Sequence, residues 1–168
     1  MILALTQKYI EDKIEVLNGQ YGSSIKLKQI ETELDLQMIG ASESFIHYQL
    51  YTTGITRTAD ETRKREASFR LDFWFMVANK NYTVYKEKFD KYIFGLERLM
   101  YTDVNPTLPY KDETISNSLR LVKLSNIQIT NADRFEENGN YFNPSIEFTM
   151  LVSDKRNVQN GIYVSDSI

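Results

Sequence analysis

Apolar and polar residues follow two different periods along this chain, and the helical period comes first. Over residues 1–17 apolar side chains recur at intervals of three and four with charged residues between them, which predicts an amphipathic helix. Its apolar side comprises Leu3, Ala4, Leu5, Ile10, Ile14 and Leu17. We expect this helix to end at Asn18 and Gly19, because both residues tolerate the left-handed conformation that closes helices.

A second helix is predicted over residues 85–101, where the helical period is most regular. The recurring apolar residues are Tyr85, Phe89, Tyr92, Ile93, Leu96, Leu99 and Met100. Capping oxygens are available before it from Asn79, Asn81 and Thr83. Pro106 and Pro109 follow and prevent the helix from continuing.

Alternation with a period of two predicts strands elsewhere. The clearest runs cover residues 45–53, 69–77, 119–130 and 146–152. In the second run one face carries Phe69, Leu71, Phe73, Phe75 and Val77. In the third run the alternation places Leu119, Leu121 and Lys123 opposite Arg120, Val122 and Leu124. Residues 25–38 also alternate, but with a slip near Gln29 and Ile30 that predicts a bulge, a bend or two short strands; a short helix is the alternative.

Polar stretches separate these elements and set the predicted fold. Residues 56–66 have no large apolar side chain, which predicts an exposed connection or a projecting hairpin tip. Turn-forming residues over 131–140 predict a second hairpin tip. We therefore expect one α+β domain over residues 1–153, in which two main helices pack on one face of a mainly antiparallel sheet with a long β-hairpin. A flexible polar C-terminal arm follows over residues 154–168.

Composition narrows the possible functions. The 168 residues carry a formal net charge of −3 with basic and acidic residues intermixed, which argues against nonspecific binding to nucleic acid. The chain has no cysteine, so disulfides and thiolate chemistry are excluded. The charged residues soon after the apolar start argue against a signal peptide, and no stretch is apolar enough for a membrane helix, so we expect a protein without a membrane partner.

Three groups of residues are candidates for chemistry or recognition. His47, the one histidine, has no partner at a catalytic spacing, and we interpret it as a strand residue. Glu31, Glu33 and Asp35 share one face of an extended segment; such a row is usually solvated, but it could bind a cation or form an acidic surface that repels DNA. Arg57, Arg63, Lys64 and Arg65 form a small basic cluster whose charge nearby acids almost balance, which suits a soluble loop, a phosphate-steering patch or a salt-bridged subunit contact. No glycine-rich phosphate loop is present, so we expect no nucleotide cofactor. One histidine, no cysteine and no recognisable catalytic spacing lead us to expect no metal and no catalytic residue.

The strand over residues 69–77 raises the question of a partner. Trp74 and Met76 lie on the face opposite its phenylalanines, so both faces of this strand need cover. Two helices on one side of the sheet cannot supply it. A neighbouring subunit could, because large apolar surface left uncovered by a chain usually marks an interface.

This order of helix, strands, long hairpin, long helix, strand hairpin and polar tail resembles the tail terminator, or tail completion, proteins of long-tailed bacteriophages. The resemblance is one of architecture and patterning over residues 1–17, 45–53, 69–77, 85–101, 119–130 and 146–152. It implies a structural virion protein without enzymatic activity, which assembles in the host cytoplasm into a hexameric ring. This ring would cap the tail tube, receive the head connector or stopper protein and let DNA pass without specific binding.

Under this resemblance the interface residues would be Arg57, Arg63, Lys64, Arg65, Trp74, Met76 and Tyr163 of the arm, and the lumen would be lined by Glu31, Glu33 and Asp35. Another phage neck or baseplate connector subunit is the nearest alternative. A different class is a small-ligand-binding α+β domain, or an enzyme with dispersed acidic residues, that uses a pocket between sheet and helix.

Overall fold

The computed structural model describes residues 1–21, 26–30, 45–57, 64–77, 82–102, 110–131, 133–136, 139–154, 157–159 and 162–164. These residues contain two helices, α1 (Ile2–Tyr21) and α2 (Tyr82–Tyr101). The strands are β1 (Lys26–Gln29), β2 (Phe45–Arg57), β3 (Lys64–Val77), β4 (Leu119–Thr130), β5 (Asp133–Glu136), β6 (Gly139–Phe142), β7 (Ser145–Asp154), β8 (Asn157–Gln159) and β9 (Ile162–Val164). The predicted α+β class is confirmed.

The main sheet is mostly antiparallel. Its seven strands occupy five positions side by side, because two of the positions are each shared by two strands end to end. β1 runs parallel to β2, and β2 forms a long hairpin with β3. β3 then pairs with β7 along its first part and with β6 at its end. β4 and β5 form the outer row beside β7 and β6. Only the β1–β2 pair is parallel among the described strands, so the sheet is mixed. β8 and β9 form a separate two-stranded sheet within the residues predicted as the polar arm.

β6 and β7 continue each other in one register with β3, although Pro144 interrupts them. Asp72 pairs with Ser145 and Phe75 pairs with Phe142, so equal numbers of residues lie between the two pairs. At the interruption, the N–H of Phe73 donates to the carbonyl of Pro144 at 3.0 Å. Pro144 has no N–H to return the bond. Asn143 Nδ2 donates to the carbonyl of Phe73 instead, at 2.7 Å.

The core lies between the two helices and one face of this sheet. The alternating residues of the second and fourth predicted runs, which form β3 and β7, are buried: Phe69, Leu71, Phe73, Phe75 and Val77 on β3, and Ile146, Phe148, Met150 and Val152 on β7. The helices contribute Leu5, Tyr9, Ile10, Ile14 and Leu17 from α1 and Phe89, Tyr92, Ile93, Leu96 and Met100 from α2. The prediction that both helices cover one face is therefore confirmed.

Helix α1 differs from the prediction in its end and in part of its apolar side. It continues to Tyr21, and Gly19 does not adopt the left-handed conformation. Asn18 accepts a hydrogen bond at Oδ1 from the N–H of Leu27, at 3.3 Å, so this residue ties the helix to β1 and does not end it. Leu3 and Ala4, expected on the core side, are exposed, whereas Ile2 and Tyr9 are buried.

The strands were predicted in the right regions, but several of their ends were not. β2 extends to Arg57 and β3 begins at Lys64, so the ends of the polar 56–66 stretch belong to the hairpin's strands. β5 and β6 occupy part of the region predicted as turns over 131–140. A four-residue strand, β1, lies within the 25–38 segment, and residues 31–38 lie outside the described part of the chain.

A bulge in β4 overturns the predicted alternation there. Leu121 pairs with Val152 and Lys123 pairs with Leu151, which leaves Val122 as an extra residue. Because one extra residue exchanges the two faces of a strand, Leu124 is buried and Lys123 is exposed, the reverse of a regular strand that starts from Leu121. A second irregularity follows between Ser125 and Gln128, where Asn126 has a φ of 54°.

Candidate interaction surfaces

The face of the sheet turned away from the helices carries Trp74 and Met76. Both side chains are half-buried, and no described helix lies over them. Trp74 is the cross-strand partner of His47, and Met76 pairs with Tyr141. We call this surface the open face. The prediction that Trp74 and Met76 lie opposite the core phenylalanines agrees with the burial pattern of β3.

The centre of the open face is polar, and its side chains are positioned by an ion pair, a cation–π contact and a hydrogen bond. The guanidinium of Arg70 lies 3.0 Å from Asp72 and 5.6 Å from the ring centroid of Tyr51. Tyr51 in turn donates its hydroxyl to Gln49 Oε1 at 2.8 Å. Burial raises the pKa of Asp72, Arg70 opposes that shift, and Glu147 on the neighbouring strand adds to it. The side chains at this centre are thus fixed by contacts within the sheet, which suits a preformed surface.

The basic residues predicted as an interface do not all share one surface. Lys64 and Arg65 are neighbours in β3, so their side chains point to opposite faces of the sheet. Arg65 is in register with Val152 and belongs to the helix side, while Lys64 belongs to the open face. The backbone of Arg57 is paired with that of Arg65. Arg63 lies outside the described residues.

The remaining predicted positions can be placed only in part. Glu31, Glu33 and Asp35 lie outside the described part of the chain. Tyr163 lies in β9, where its backbone pairs with Val158 of β8. Among the residues that the structure does describe, no three His, Asp or Glu side chains gather as a metal site would require. No helix in these ranges has the length and apolar character needed to span a bilayer.

One surface that the sequence did not indicate is a cleft at the end of the sheet where α1 begins. Its volume is about 400 Å³, and it is lined by residues from α1, β2, β3 and β4, among them Leu3, Ile55, Arg65 and Leu119. Leu3 is 43% exposed and Ile55 is 50% exposed. We call it the end cleft. A bulge at Thr53 places Ile55 opposite the buried Ala67, and therefore on the helix side of the sheet.

A second unpredicted surface is a shallow groove on the outside of α2. It is also about 400 Å³ in volume and is lined by Glu87, Asp90, Lys91, Phe94, Gly95 and Arg98. Phe94 is 48% exposed because it lies about 100° around the helix from the buried Ile93. We call this surface the Phe94 groove. An apolar residue outside the core series of a helix is the sequence signal that could have revealed it.

Two phenols, the half-buried Tyr110 and the buried Tyr48, are influenced by acidic residues of α1, which matters for any acid-base role. Tyr110 donates its hydroxyl to Asp12 Oδ2 at 2.6 Å, and Lys8 Nζ contacts Asp12 Oδ1 at 2.8 Å. Burial, followed by the hydrogen bond to Asp12, raises the pKa of Tyr110. Burial together with the nearby Glu11 raises the pKa of Tyr48 to about 12. Both phenols are therefore protonated at neutral pH, and that of Tyr110 donates a hydrogen bond.

Comparison with known proteins does not assign the chain to a family. A scan against protein-family models finds no match, and no curated protein matches the sequence.

Proposed function

We propose that this protein is a structural subunit of a bacteriophage tail, a tail terminator that forms a ring on the end of the tail tube and joins it to the head connector. One observation carries the proposal: both helices pack on one face of the sheet, so the opposite face presents Trp74 and Met76 without a described helix over them. Partly exposed aromatic and methionine side chains are typical of protein interfaces. The architecture and the long β2–β3 hairpin agree with the resemblance described above.

The proposal assigns the open face to a protein partner within the virion. Its fixed polar centre, Arg70 with Asp72 and Tyr51, would supply specificity, while Trp74 and Met76 would supply buried apolar area. A neck or baseplate connector subunit would use the same kind of contact, and the partner that binds distinguishes these roles. A small-ligand site is favoured less, because among the described residues that line the end cleft only Thr52 and Arg65 carry polar side chains, which is few for a ligand pocket.

The test is to mix the purified chain with tubes assembled from the cognate tail tube protein and to examine the tube ends by electron microscopy. We expect rings at one end of each tube, and light scattering should give the mass of a closed oligomer. Trp74→Lys should abolish capping. Val84→Lys, which changes an apolar side chain that is 57% exposed at the start of α2, should leave it intact. A chain that stays monomeric at every concentration and ignores both tubes and connectors would overturn the proposal.

A further inference from the structure

The described strands contain two crossovers between parallel strands. β1 and β2 are parallel neighbours. β3 and β4 are also parallel to each other, because each pairs antiparallel with β7, which lies between them. A tight turn cannot join two parallel strands, so each connection must cross one face of the sheet. The β3–β4 crossover contains α2 and lies on the helix side, where Phe89 stacks on Phe75 at 5.6 Å.

The face that the β1–β2 crossover takes follows from the order and direction of the strands. The positions follow the order β1, β2, β3, β7, β4, so both crossovers step the same way along the sheet. Their strands run in opposite directions, because β2 is antiparallel to β3. Crossovers are right-handed in about 98% of cases. If the strands are reversed and the step is kept, the same hand requires the opposite face. The β1–β2 crossover therefore belongs on the open face.

One hydrogen bond leads to the same face without reference to β4. The N–H of Ile30 donates to the carbonyl of Tyr48 at 2.8 Å, so this carbonyl points toward β1, while the Tyr48 side chain is buried on the helix side. In an L-residue whose side chain faces the viewer on an upward strand, the carbonyl points to the right. From the open face, β2 therefore lies to the right of β1. A right-handed crossover has its second strand on the right when viewed from its own side.

Helix α1 already occupies the alternative route on the helix side. Asn18 Oδ1 accepts a hydrogen bond from the N–H of Leu27, at 3.3 Å, and Leu17 belongs to the same core cluster as Leu27. This helix contacts both β1 and β2. No described helix lies over the other side of these two strands, where Lys28 is exposed. Handedness and available space thus favour the same face.

We propose that residues 31–44 cross the open face over β1 and the start of β2, so that this segment covers His47 and reaches Trp74. These residues lie outside the described part of the chain, between Ile30 and Phe45. The chain must return by about 10 Å, the length over which β1 is paired with β2. The segment is long enough for this return, since a crossover connection needs about a dozen residues.

The composition of the segment suits the surface beneath it. Its apolar residues can pack on Trp74, and its charged residues are all acidic, whereas the open face of β1 presents Lys28 in register with His47. Opposite charge therefore favours this face, although an exposed ion pair contributes little stability by itself. The apolar residues are Leu34, Leu36, Met38 and Ile39, and the acidic residues are Glu31, Glu33, Asp35 and Glu43.

The inference does not depend on the proposed function, but it changes the surface that a partner would meet. The polar centre formed by Arg70, Asp72 and Tyr51 lies along β2 and β3 beyond the residues paired with β1. The segment therefore leaves this centre open. Trp74 lies at the border between the covered end of the face and the part that remains for a partner.

Fluorescence quenching tests the placement, because Trp74 is the one tryptophan and the chain has no cysteine. A nitroxide label is attached in turn to Leu36→Cys, Gln37→Cys and Met38→Cys, and it quenches tryptophan at short range only. Successive residues point in different directions, so at least one label should cause a loss of Trp74 emission. Phe94→Cys, exposed on the outside of α2, is the control and should cause none. Full emission from all three labelled variants, with a native circular dichroism spectrum, would overturn the inference.

A disulfide test compares the two faces of β1 directly. Lys28 and Gln29 are neighbours in this strand and point to opposite faces, with Gln29 in register with the buried Tyr48. Lys28→Cys combined with Gln37→Cys should give an intramolecular disulfide under mild oxidation at low protein concentration. Gln29→Cys combined with Gln37→Cys is the matched control and should give much less. Mass spectrometry of the digested chain measures both yields. A higher yield through Gln29→Cys, or equal yields, would overturn the inference.

Discussion

Asn143 Nδ2 donates a 2.7 Å hydrogen bond to the backbone carbonyl of Phe73, and this side chain replaces a donor that the neighbouring backbone lacks. Pro144 lies opposite Phe73 in the antiparallel ladder and has no N–H. Phe73 is fully buried, so its carbonyl would otherwise remain unpaired away from water. Asn143 therefore allows a proline to stand between β6 and β7 without breaking their common register.

The first prediction concerns this replacement. Asn143→Ala should lower the free energy of unfolding by about 1 to 3 kcal/mol, because it leaves a buried carbonyl without a donor. Denaturant unfolding measures the change. Asn117→Ala, at an exposed position, is the control and should have little effect.

A second substitution makes this prediction specific. Pro144→Ala restores a backbone N–H at position 144, so the double variant Asn143→Ala with Pro144→Ala should recover part of the stability lost by Asn143→Ala alone. Such a non-additive result is expected when two groups serve the same acceptor. Additive losses in the double variant would show that the side chain does not replace the backbone donor.

A second prediction concerns Asn126, which has a φ of 54° at an irregularity of β4. Asparagine tolerates the left-handed region, whereas a β-branched residue does not. Asn126→Val should therefore destabilise the fold by about 1 to 2 kcal/mol, and Asn126→Gly should be close to neutral. Gln128→Val, two residues further along the same strand, is the matched control because that residue is also exposed. Equal melting temperatures for the two valine variants would contradict this explanation.

The same irregularities explain how far the sequence could predict the fold. β3 and β7 alternate without interruption beside each other, so one buried face was enough to predict their core residues. β4 carries a bulge at Val122, and extending the regular alternation of Leu119 and Leu121 through it placed Lys123 and Leu124 on the wrong faces. Bulges depend on the partner strand, which a single run of residues does not contain.

The surfaces were harder to predict than the fold for a related reason. Leu3 was assigned to the core side of α1 because it fits the helical period, and the structure leaves it 43% exposed. Whether an apolar side chain is covered depends on which element lies above it, and at the end of the sheet no described element covers Leu3 or Ile55. Trp74 and Met76 were predictable because they lie in a strand whose other face is fully apolar.

A third prediction concerns the hydrogen bond between Tyr110 and Asp12. Asp12 lies in α1, and the backbone of Tyr110 pairs with Leu121 of β4, so this bond ties the helix to the edge of the sheet. Tyr110→Phe removes the 2.6 Å hydrogen bond but keeps the ring, whose centroid lies 5.5 Å from that of Tyr9. We expect a loss of about 1 kcal/mol, since the carboxylate is partly exposed to water. Lys8→Met, which removes the exposed ion pair to the same carboxylate, should cost less.

The pH dependence of this effect has a definite sign. Burial alone would raise the pKa of Asp12, but hydrogen bonds from Lys8 and Tyr110 outweigh it and hold the pKa below its usual value. The stabilisation is therefore present above the unfolded-state pKa and is lost as pH falls through the lower pKa of the folded state. The difference between the unmodified chain and Tyr110→Phe should stay constant from about pH 7 to about pH 5 and shrink below about pH 4. A difference that grew on acidification would contradict this assignment.

The last prediction compares two phenylalanines of α2 that have opposite environments. The ring of Phe89 is buried, stacked on that of Phe75 at 5.6 Å and tilted against that of Phe142 at 5.3 Å, so Phe89→Ala should destabilise the fold by about 3 to 5 kcal/mol. Phe94→Ala should change the stability of the dissociated subunit by less than about 0.5 kcal/mol, because half of this side chain is already in water. Unfolding measured at concentrations where subunits are separate tests both values. If Phe94→Ala destabilised the isolated subunit as much as Phe89→Ala, the side chain would belong to the core, contrary to its exposure on α2.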